Sequence, residues 1–539
     1  MATYGIDLGT TRSCIASVDH TGRPMVLKNA IGEETTPSVV YFESPENVVV
    51  GKQAKDTALL VPDLVVELVK RKMGEDDHYS FYGQDHTPES ISALILRELA
   101  RAAGEQTGEE VRDVVITVPA YFGLLEREAT RNAGQIAGLN VLDVLPEPVA
   151  AALDYQALGK GTEARNILVY DLGGGTFDTT VIRVDGDDIH VICTEGDRKL
   201  GGVDWDKKVI DFLLRGFTKQ YPQLDPGGDE QFMQELATSA EQLKTALSAV
   251  MTRTQNVRFD GSIARLELTR EHFEEITSEL LERTMDSTER AIADAREKGV
   301  DDFDDVLLVG GMTIMPAVAR TLRERFGLEA RLHDPHLAVA RGAALFALIS
   351  NLKVILPEDR DAVAVQQVAD QLNLDVEQVE SLRRKKVATV VPRAFGLKVV
   401  DQTDPLFKID PSRARSFVSH LLTANTPLPA DTGPQCFVTV AENQRTVQLE
   451  AWEQAGAVAS EKLEHNTHIG EGRLEQLPPG PAGTPFQVVF HMTGTGLLQV
   501  HAWEESSKRE VRFEIQIGGL GETEVQQATA AVARYEVNG

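Results

Sequence analysis

The sequence predicts a protein of more than one domain, in which an α/β region through about residue 350 is followed by an antiparallel β-sandwich. Three observations support this prediction. The chain has 539 residues, whereas single hydrophobic cores stop growing at about 250–300 residues. Through residue 350, short β-rich runs alternate with helical patterns. After about residue 387, helical periodicity gives way to alternating apolar and polar residues.

The first region shows the alternation typical of α/β organisation. Its β-rich runs include residues 113–118, 167–170 and 306–309. A helical stretch covers residues 88–105, where apolar side chains recur at helical spacing: Ile91, Leu94, Ile95, Leu99 and Ala102.

The second region begins after a change of pattern. Residues 357–386 favour two short helices joined near Asn373, ending in the basic cluster 383–386. Strands are then predicted at residues 436–440, 446–452, 487–491, 497–503 and 511–517. Residues 522–536 return to a helical pattern. The predicted divisions are residues 1–350, a helical insert and linker at 351–388, a sandwich at 389–518 and a short C-terminal helix at 519–539.

The composition limits the partners. The 54 basic and 83 acidic side chains leave a net charge of −29, which repels nucleic-acid phosphates and anionic lipid, so we expect neither partner. Cys14, Cys193 and Cys436 are too far apart for a CxxC metal pair or a disulfide framework, which fits a reducing cytosol. No signal-peptide pattern follows Met1, and no apolar run is expected to reach the roughly 18 residues of a membrane span. We therefore expect a cytoplasmic protein.

The most informative feature is a local repeat. Residues 5–11, Gly-Ile-Asp-Leu-Gly-Thr-Thr, are echoed by residues 169–178, Val-Tyr-Asp-Leu-Gly-Gly-Gly-Thr-Phe-Asp. Each copy is a β-run ending in Asp, a glycine turn, a Thr and a second β-run. Glycines let backbone N–H groups approach an anion, Thr hydroxyls add donors, and the carboxylates can hold Mg²⁺ through water. Two such hairpins facing each other would clamp a polyphosphate. The alternative, two tight turns that need glycine for geometry alone, explains the duplication less well.

A third glycine pair, Gly310 and Gly311, follows the apolar run 306–309. It precedes Met315 and Pro316, where a helix can begin. A strand, a diglycine and a helix start would let the flat base or sugar of a ligand approach the backbone closely. A plain turn between strand and helix explains the pattern equally well.

These three elements, in this order, resemble the ATPase domain of the seventy-kilodalton heat-shock chaperones, within the actin and sugar-kinase superfamily. The resemblance covers nearly the whole chain and suggests a divergent, bacterial-type member. It implies an actin-like ATPase domain with duplicated ribonuclease-H-like lobes, ATP or ADP with Mg²⁺ as ligands, and slow hydrolysis coupled to binding of extended apolar segments. Unfolded polypeptide clients are the implied partners, with a J-domain cochaperone and a nucleotide-exchange factor as further candidates.

Further motifs match the family in order. Lys70 stands where the family keeps a lysine that reaches the γ-phosphate, and Glu147 where it keeps a carboxylate that orients the Mg²⁺ shell and the attacking water. With Asp7, Asp171 and Thr176 they form the implied catalytic group. Asp7, Asp171 and Glu147 are the implied metal residues, acting mostly through water. Taken singly, Lys70 could be one of a solvated basic pair, and Glu147 a carboxylate favoured at a helix start.

The resemblance also implies residues that bind the nucleotide and couple the domains. Glu241, Lys244 and Ser248 match the residues that hold the adenosine, although Glu241 and Lys244 alone could be a surface ion pair. Pro119 and Arg127 match the interdomain proline switch and arginine relay. The implied nucleotide-binding residues are Gly9, Thr10, Thr11, Gly173, Gly174, Gly175, Gly201, Gly202, Glu241, Lys244, Ser248, Gly310 and Gly311.

Two departures fall on the adenine side. Ile314 stands where the family usually has an arginine against the adenine, and His336 and Leu337 replace an acidic pair. We therefore expect weaker adenine affinity or selectivity. The phosphate-side residues are intact, so hydrolysis is still expected.

The β-rich half resembles the family's peptide-binding sandwich. Carried over by position, the groove lining is Leu397, Val400, Phe437, Val447 and Leu449. The alternative is that these are ordinary core residues of a sandwich. Residues 385–391 occupy the place of the family's acidic, leucine-rich linker, and the long helical lid is reduced to one helix. We therefore expect weak, fast-exchanging client binding.

Three functions from different classes compete. An ATP-driven peptide-binding chaperone accounts for both halves. A nucleotide-binding scaffold with little hydrolysis and one dedicated partner is the second hypothesis, favoured by the insert and the missing lid. A small-metabolite kinase of the same superfamily is the third, and it leaves the β-rich half unexplained.

Overall fold

The computed structural model describes residues 3–158, 164–357, 362–372, 374–456, 458–494, 496–514 and 520–539. The strands of the first region are, in chain order, β1 (Thr3–Asp7), β2 (Arg12–Val18), β3 (Pro24–Leu27), β4 (Thr36–Pro37), β5 (Val40–Phe42), β6 (Asn47–Val50), β7 (Val65–Val66), β8 (Tyr79–Phe81), β9 (Gln84–His86), β10 (Asp113–Val118), β11 (Asn140–Pro146), β12 (Arg165–Leu172), β13 (Phe177–Asp185), β14 (Asp188–Asp197), β15 (Thr252–Phe259), β16 (Ser262–Thr269), β17 (Asp305–Val309) and β18 (Ala330–Leu332). The helices between them are α1 (Lys52–Thr57), α2 (Pro88–Thr107), α3 (Leu124–Ile136), α4 (Glu147–Leu158), α5 (Gly202–Gln220), α6 (Glu230–Leu247), α7 (Arg270–Ile276), α8 (Ser278–Glu297), α9 (Pro316–Phe326) and α10 (Ala338–Ile355). The remaining elements are α11 (Ala362–Leu372), α12 (Val376–Arg384), β19 (Lys386–Ala388), β20 (Phe395–Val400), β21 (Ser416–Leu422), β22 (Ala430–Asp431), β23 (Gln435–Val438), β24 (Thr446–Gln454), β25 (Asn466–Glu475), β26 (Pro485–Met492), β27 (Leu498–Glu504), β28 (Arg509–Glu514), α13 (Glu522–Val532) and β29 (Glu536–Asn538).

Two large sheets of the first region share one strand order. The first runs β11-β10-β1-β2-β3, and the second runs β18-β17-β12-β13-β14 before adding β19. In each, three consecutive antiparallel strands are extended by two strands parallel to the first of them. The repeat seen in the sequence therefore extends to whole sheets, which we call the first and second lobes. The predicted α/β organisation is confirmed.

Helix α10 packs against β1, β10 and α4. A Cβ atom on Gly5 would lie 2.0 Å from the Ala344 nitrogen, and one on Gly342 would lie 1.7 Å from the Ala150 carbonyl oxygen. Only glycine permits such close approach of two backbones. The helix therefore forms a shared core with strands of both lobes.

Helix α10 contradicts one prediction made from the sequence, which concerned long apolar runs. Its 18 residues have a mean hydropathy of 1.5, so by length and composition it is long and apolar enough to cross a membrane. The prediction that no apolar run reaches this length was wrong. Because 61% of the segment is buried inside the protein, its apolar side chains are accounted for by packing between the lobes.

The predicted strands of the second region form two antiparallel sheets. One has the order β21-β20-β24-β25, and the other has the order β22-β26-β27-β28 with β23 also paired to β26. Their shared core contains Phe395, Leu474, Val488 and Phe490. Strand β23 ends two residues before the predicted limit of 440. Residues 515–517 of the last predicted strand lie outside the described residues.

The joint between the two regions has two parts. Helices α11 and α12 pack on the end of α10 through Leu352, Val365 and Val379; Asn373, the predicted break between them, lies outside the described residues. Strand β19 then pairs in parallel with β14. The chain thus enters the sandwich from an added edge strand of the second lobe.

The C-terminal strap, residues 520–539, packs on the first lobe. Helix α13 lies against α2 and α3, and β29 pairs in parallel with β6. Val532 and Tyr535 are buried in the same core as Phe42. The prediction of a helix to residue 536 was wrong, because the helix ends at Val532. The residues beyond it instead extend the sheet of β5, β6 and β7.

Candidate functional site

The two glycine hairpins lie against each other. The first joins β1 to β2, and the second joins β12 to β13. A Cβ atom on Gly174 would lie 2.3 Å from Thr11 Oγ1, and one on Gly175 would lie 2.4 Å from Thr10 Oγ1. Because Gly174 and Gly175 have no side chains, the two turns can approach each other this closely.

The remaining hairpin residues shape the turns themselves. A Cβ atom on Gly9 would lie 2.0 Å from the Arg12 carbonyl oxygen, so a side chain there would open the first turn. In the second turn, the Gly173 N–H donates to the carbonyl of Thr176 at 3.1 Å, and the Thr176 side chain is buried. Both turns depend on backbone contacts that a longer residue would disturb.

Helix α5 begins directly behind the second hairpin. Its first N–H, that of Gly202, donates to the carbonyl of Gly173 at 3.0 Å, and Val203 donates to Gly174 at 2.9 Å. A Cβ atom on Gly201 would lie 2.5 Å from the Gly175 nitrogen. The dipole of a helix is positive at its N-terminus, so this end of α5 adds positive potential next to the hairpins, although its first N–H groups already donate to the hairpin carbonyls.

Lys70 and Glu147 form a buried ion pair. Lys70 lies in a short 3₁₀ helix, Val69–Lys72, and Glu147 is the first residue of α4, directly after β11. The Lys70 Nζ atom lies 2.6 Å from Glu147 Oε1, and the two side chains are 4% and 10% exposed. The Lys70 ammonium also lies 5.8 Å from the centroid of the Phe122 ring. Lys70 is therefore held between a carboxylate and an aromatic ring, with little contact with solvent.

Three aspartates collect around this pair: Asp171 and Asp178 are buried, and Asp7 is half-buried. Burial, with the charge of Glu147, raises the pKa of Asp7 to about 7 against the opposing effect of Lys70. The same two causes raise the pKa of Asp178 to about 7 and that of Asp171 well above its usual range. Acidic groups thus outnumber the single lysine, and the local field favours a bound cation.

The donor chemistry fits Mg²⁺ held mostly through water. Mg²⁺ keeps several waters and accepts one or two carboxylates. The charges of Glu147 and Asp7 both raise the pKa of Asp171, and the charge of Glu147 also raises the pKa of Asp7, so the three carboxyl groups lie near one another. Within the described residues, no group of three His, Cys, Asp or Glu side chains is arranged to hold a metal directly.

Arg71 is a site residue that the sequence interpretation missed. Its Nε and Nη2 atoms donate to the carbonyl of Gly175 at 3.0 and 2.7 Å, and its guanidinium also pairs with Asp204. It therefore ties the second hairpin to the first turn of α5. Adjacency to Lys70 was the only sequence signal for it.

The residues expected around the adenosine lie on or next to α6. Lys244 donates to Asp206 at 2.7 Å and to the carbonyl of Gly202 at 3.1 Å. Its ammonium therefore lies at the start of α5, next to the second hairpin. Glu241 lies 2.5 Å from Lys55 Nζ of α1, so this pair bridges the two lobes. Ser248 caps the C-terminal end of α6, and its carbonyl accepts from Arg270 at 3.2 Å.

Gly310 and Gly311 also lie at the site between the two lobes, which we call the nucleotide cleft. Gly310 has a φ of +83°, and a Cβ atom there would lie 2.4 Å from the Leu172 carbonyl oxygen. A Cβ atom on Gly311 would lie 2.8 Å from the His336 ring. Ile314 is 39% exposed. The structure therefore brings one of the two departures, His336, into direct contact with the diglycine.

The predicted switch residues meet at the boundary with the sandwich. Arg127 of α3 donates to the carbonyls of Phe122 at 3.0 Å and Ala120 at 3.4 Å, and so holds the segment that follows Pro119. Burial lowers the pKa of Arg127. Sequence reasoning missed the groups that meet this segment from the sandwich side, Arg393 and Glu453.

The predicted peptide-groove residues do not line an open groove. Leu397, Val447 and Leu449 are buried in the sandwich core, while Phe437 is half-buried at its margin. Val400 lies three positions after Leu397 on β20, so it projects from the opposite face of the sheet. The alternative interpretation, that the residues belong to the core of the sandwich, therefore holds in this structure for Leu397, Val447 and Leu449.

Comparison with known proteins adds two findings. The model of the Hsp70 protein family matches residues 3–81, 78–394 and 408–537. Two curated proteins called Chaperone protein DnaK, from two strains of Halobacterium salinarum, are each 36% identical over 531 residues. The alignment covers 97% of this chain and 76% of each relative.

Proposed function

The chain belongs to the Hsp70 family, which makes it an ATP-dependent chaperone and an ATPase, and we propose that its ATP lies between the two glycine hairpins. The family binds ATP or ADP and needs Mg²⁺. The facing turns of Thr10, Thr11, Gly174 and Gly175 would hold the phosphates. Gly310 and Gly311, with Glu241, Lys244 and Ser248, would hold the nucleoside.

The proposed reaction transfers the γ-phosphoryl group of ATP to water, giving ADP and inorganic phosphate. Phosphoryl transfer needs positioning and neutralisation of charge more than covalent chemistry. Lys70 would neutralise charge on the γ-phosphate, and Glu147 with Thr176 would orient the attacking water. Asp7 and Asp171 would hold the hydrated cation. Mg²⁺, when bound, supplies positive charge that stabilises the phosphate oxygens.

We further propose an actin-like ATPase domain at residues 1–350, joined through 351–388 to a peptide-binding sandwich at 389–518. The duplicated sheet order and the two antiparallel sheets support this division. Clients are extended segments of unfolded polypeptides, bound through backbone hydrogen bonds and an apolar pocket. Because Leu397, Val447 and Leu449 are buried, a client using them requires the sandwich to open, whereas Phe437 is partly accessible already.

Cochaperones and cellular location follow from the family in general. We propose that a J-domain protein and a nucleotide-exchange factor act on this chain and that it works in the cytoplasm. Since residues 520–539 pack on the first lobe, we also propose that they do not retain a client as a long lid would.

The observation that carries the proposal is the contact of the two hairpins beside the buried Lys70–Glu147 pair. The test measures ATP hydrolysis alone, with an unfolded apolar peptide, with a J-domain protein and with a glucose-like sugar. Stimulation by peptide is the expected result. Stoichiometric phosphorylation of the sugar would identify a kinase instead, and tight ATP binding without turnover would identify a scaffold.

A further inference from the structure

Arg12 directly follows the first glycine hairpin and begins β2. The side chains become more exposed along this run, since Thr10 is buried, Thr11 is half-buried and Arg12 is exposed. The backbone of Arg12 pairs with Pro37 of β4, which fixes its position. Arg12 therefore lies where the hairpin meets solvent, at the mouth of the nucleotide cleft.

The guanidinium of Arg12 has few partners within the protein. Its Nη1 atom donates to the Thr35 hydroxyl at 3.1 Å, and in the part of the chain that the structure describes it forms no ion pair. The Glu241 carboxylate, on the other side of the cleft, is already paired with Lys55 at 2.5 Å. Because an arginine carries five N–H donors, most of those on Arg12 remain open to a ligand.

The charge of Arg12 reaches two residues across the cleft. Desolvation and then the charge of Arg12 lower the pKa of His336. Burial disfavours the charged form of Glu241, but nearby cations, Arg12 among them, keep its pKa below the usual value. His336 contacts Gly311, and Glu241 lies on α6. Arg12 therefore faces the end of the cleft that is proposed for the nucleoside.

The order of the groups along the cleft indicates which part of a nucleotide Arg12 can reach. The buried Lys70 marks the end proposed for the γ-phosphate, and Gly311 marks the end proposed for the nucleoside. Arg12 lies next to both ends, because it follows Thr11 of the hairpin and its charge reaches Glu241. In ATP, the α-phosphate and the ribose occupy this intermediate position.

The chemistry of Arg12 suits a phosphate. A guanidinium binds phosphate oxygens through paired, charge-assisted hydrogen bonds. The net charge of −29 opposes an anionic ligand, and a cation at the mouth of the cleft offsets that field locally. Ile314, at the nucleoside end and 39% exposed, carries no charge. A phosphate contact at Arg12 can therefore supply affinity that the side chain of Ile314 does not.

We propose that Arg12 is a further nucleotide-binding residue, whose guanidinium donates to the α-phosphate of a bound nucleotide. This inference rests on the proposed nucleotide site between the hairpins. It adds a side-chain contact from the first lobe at the point where the phosphates meet the ribose. ATP, ADP and AMP all carry the α-phosphate and gain from this contact, whereas adenosine does not.

The main test compares the wild type with Arg12→Gln in the full chain, by calorimetric titration with ADP, AMP and adenosine. Loss of a charge-assisted hydrogen bond is expected to weaken ADP and AMP binding alike by about tenfold to a hundredfold, with adenosine binding changed by less than about twofold. Arg12→Lys keeps the charge but not the planar fork, so it is expected to recover part of the affinity. Equal ADP affinity in the wild type and Arg12→Gln overturns the proposal. A loss for ADP without a loss for AMP also overturns it, because the arginine would then contact the β-phosphate.

Two matched variants separate a phosphate contact from a structural role. Arg23→Gln removes the same charge from an exposed position beyond the other end of β2, so ADP affinity should change by less than about twofold. Thr35→Val removes the hydrogen-bond partner of Arg12 but keeps its guanidinium, so it should weaken ADP binding much less than Arg12→Gln does. If Thr35→Val weakens ADP binding as much as Arg12→Gln, Arg12 only holds the loop at Thr35 and the proposal fails.

Salt dependence provides an independent measurement. Because salt screens exposed charges, added salt should weaken ADP binding more in the wild type than in Arg12→Gln, and equal salt dependence counts against the α-phosphate contact. A wild type that binds neither ATP nor ADP would refute the proposed nucleotide site itself. A wild type that binds both with an affinity that does not depend on Arg12 refutes this inference alone.

Discussion

The nucleotide cleft and the sandwich differ in where the structure places the residues predicted to bind a ligand. In the cleft, residues from distant parts of the chain converge: the hairpin at Gly174 contacts Thr11, and Lys70 pairs with Glu147 across 77 positions. In the sandwich, Leu397 and Leu449 were expected at a binding surface and lie in the core instead.

The difference comes from the chemistry of the residues. A lysine that is 4% exposed, facing a cluster of carboxylates, is costly to bury, so its position calls for a charged ligand. An apolar residue in a strand is stabilised equally well by a core or by a peptide. Motifs of glycine and charge therefore predict a site more sharply than motifs of leucine and valine.

The largest effect is expected from removing the positive charge of Lys70 in the cleft. Lys70→Ala is expected to lower the hydrolysis rate by about 10²–10³-fold, the range for loss of one electrostatic stabiliser of a transition state. Lys72→Ala is the matched control, because Lys72 is 45% exposed and pairs with Glu75 and Asp77 at the surface. Hydrolysis by Lys70→Ala at the Lys72→Ala rate would show that the phosphate site lies elsewhere.

The corresponding change in the sandwich is Leu449→Ala. Because Leu449 is 3% exposed, we expect a loss of about 2–5 kcal/mol in the free energy of unfolding, as for other buried leucines. Urea denaturation measures it. Val438→Ala, at a position 36% exposed, should change stability by less than about 0.5 kcal/mol. If Leu449→Ala weakens peptide binding without destabilising the protein, Leu449 lines a groove and the contrast disappears.

The boundary between the two regions should respond to pH through Glu453. Burial raises the pKa of Glu453 to about 7, with Glu126 acting in the same direction and Arg393 opposing it. The folded protein then holds this proton more tightly than the unfolded chain. The stabilisation that the protonated Glu453 contributes is complete below the ordinary pKa of a glutamate. It is lost as the pH rises from that value to about 7.

Glu453→Gln removes this titration. We expect the wild type to lose more free energy of unfolding than the variant between about pH 5 and about pH 8, measured by urea denaturation at each pH. Groups far from Glu453 titrate alike in both proteins, so the difference reports Glu453 together with Glu126, whose charge acts on it. Identical pH dependence would mean that Glu453 is ionised throughout the folded range.

The smallest expected effect concerns the C-terminal strap, where the end of the chain returns to the first lobe. The Tyr535 hydroxyl lies 3.0 Å from Gln84 Oε1 and 3.1 Å from His86 Nε2. Tyr535→Phe should cost about 1 kcal/mol of stability, measured by thermal unfolding. Tyr221→Phe, which removes an exposed hydrogen bond to the Ile263 carbonyl, should cost less. Equal costs would indicate that the strap detaches readily.

Much of the fold could be predicted because its signals are local. The run at residues 113–118 matches β10, and the stretch at 88–105 lies within α2, whose start is capped by Thr87. The C-terminal segment was harder, since a strand of three residues has too short a pattern to distinguish it from the end of a helix. Its pairing with β6 depends on residues almost five hundred positions away.

The sequence by itself determined the duplicated glycine hairpins, the α/β organisation and the family, because each depends on residue type and order. The tertiary structure alone decided which buried residues serve a site. It placed Arg71 on the Gly175 carbonyl and Arg393 on the Tyr121 carbonyl, and it enclosed α10 between two lobes. The physical reason is that burial and pairing are properties of the neighbours brought together by folding, and those neighbours are far apart in the chain.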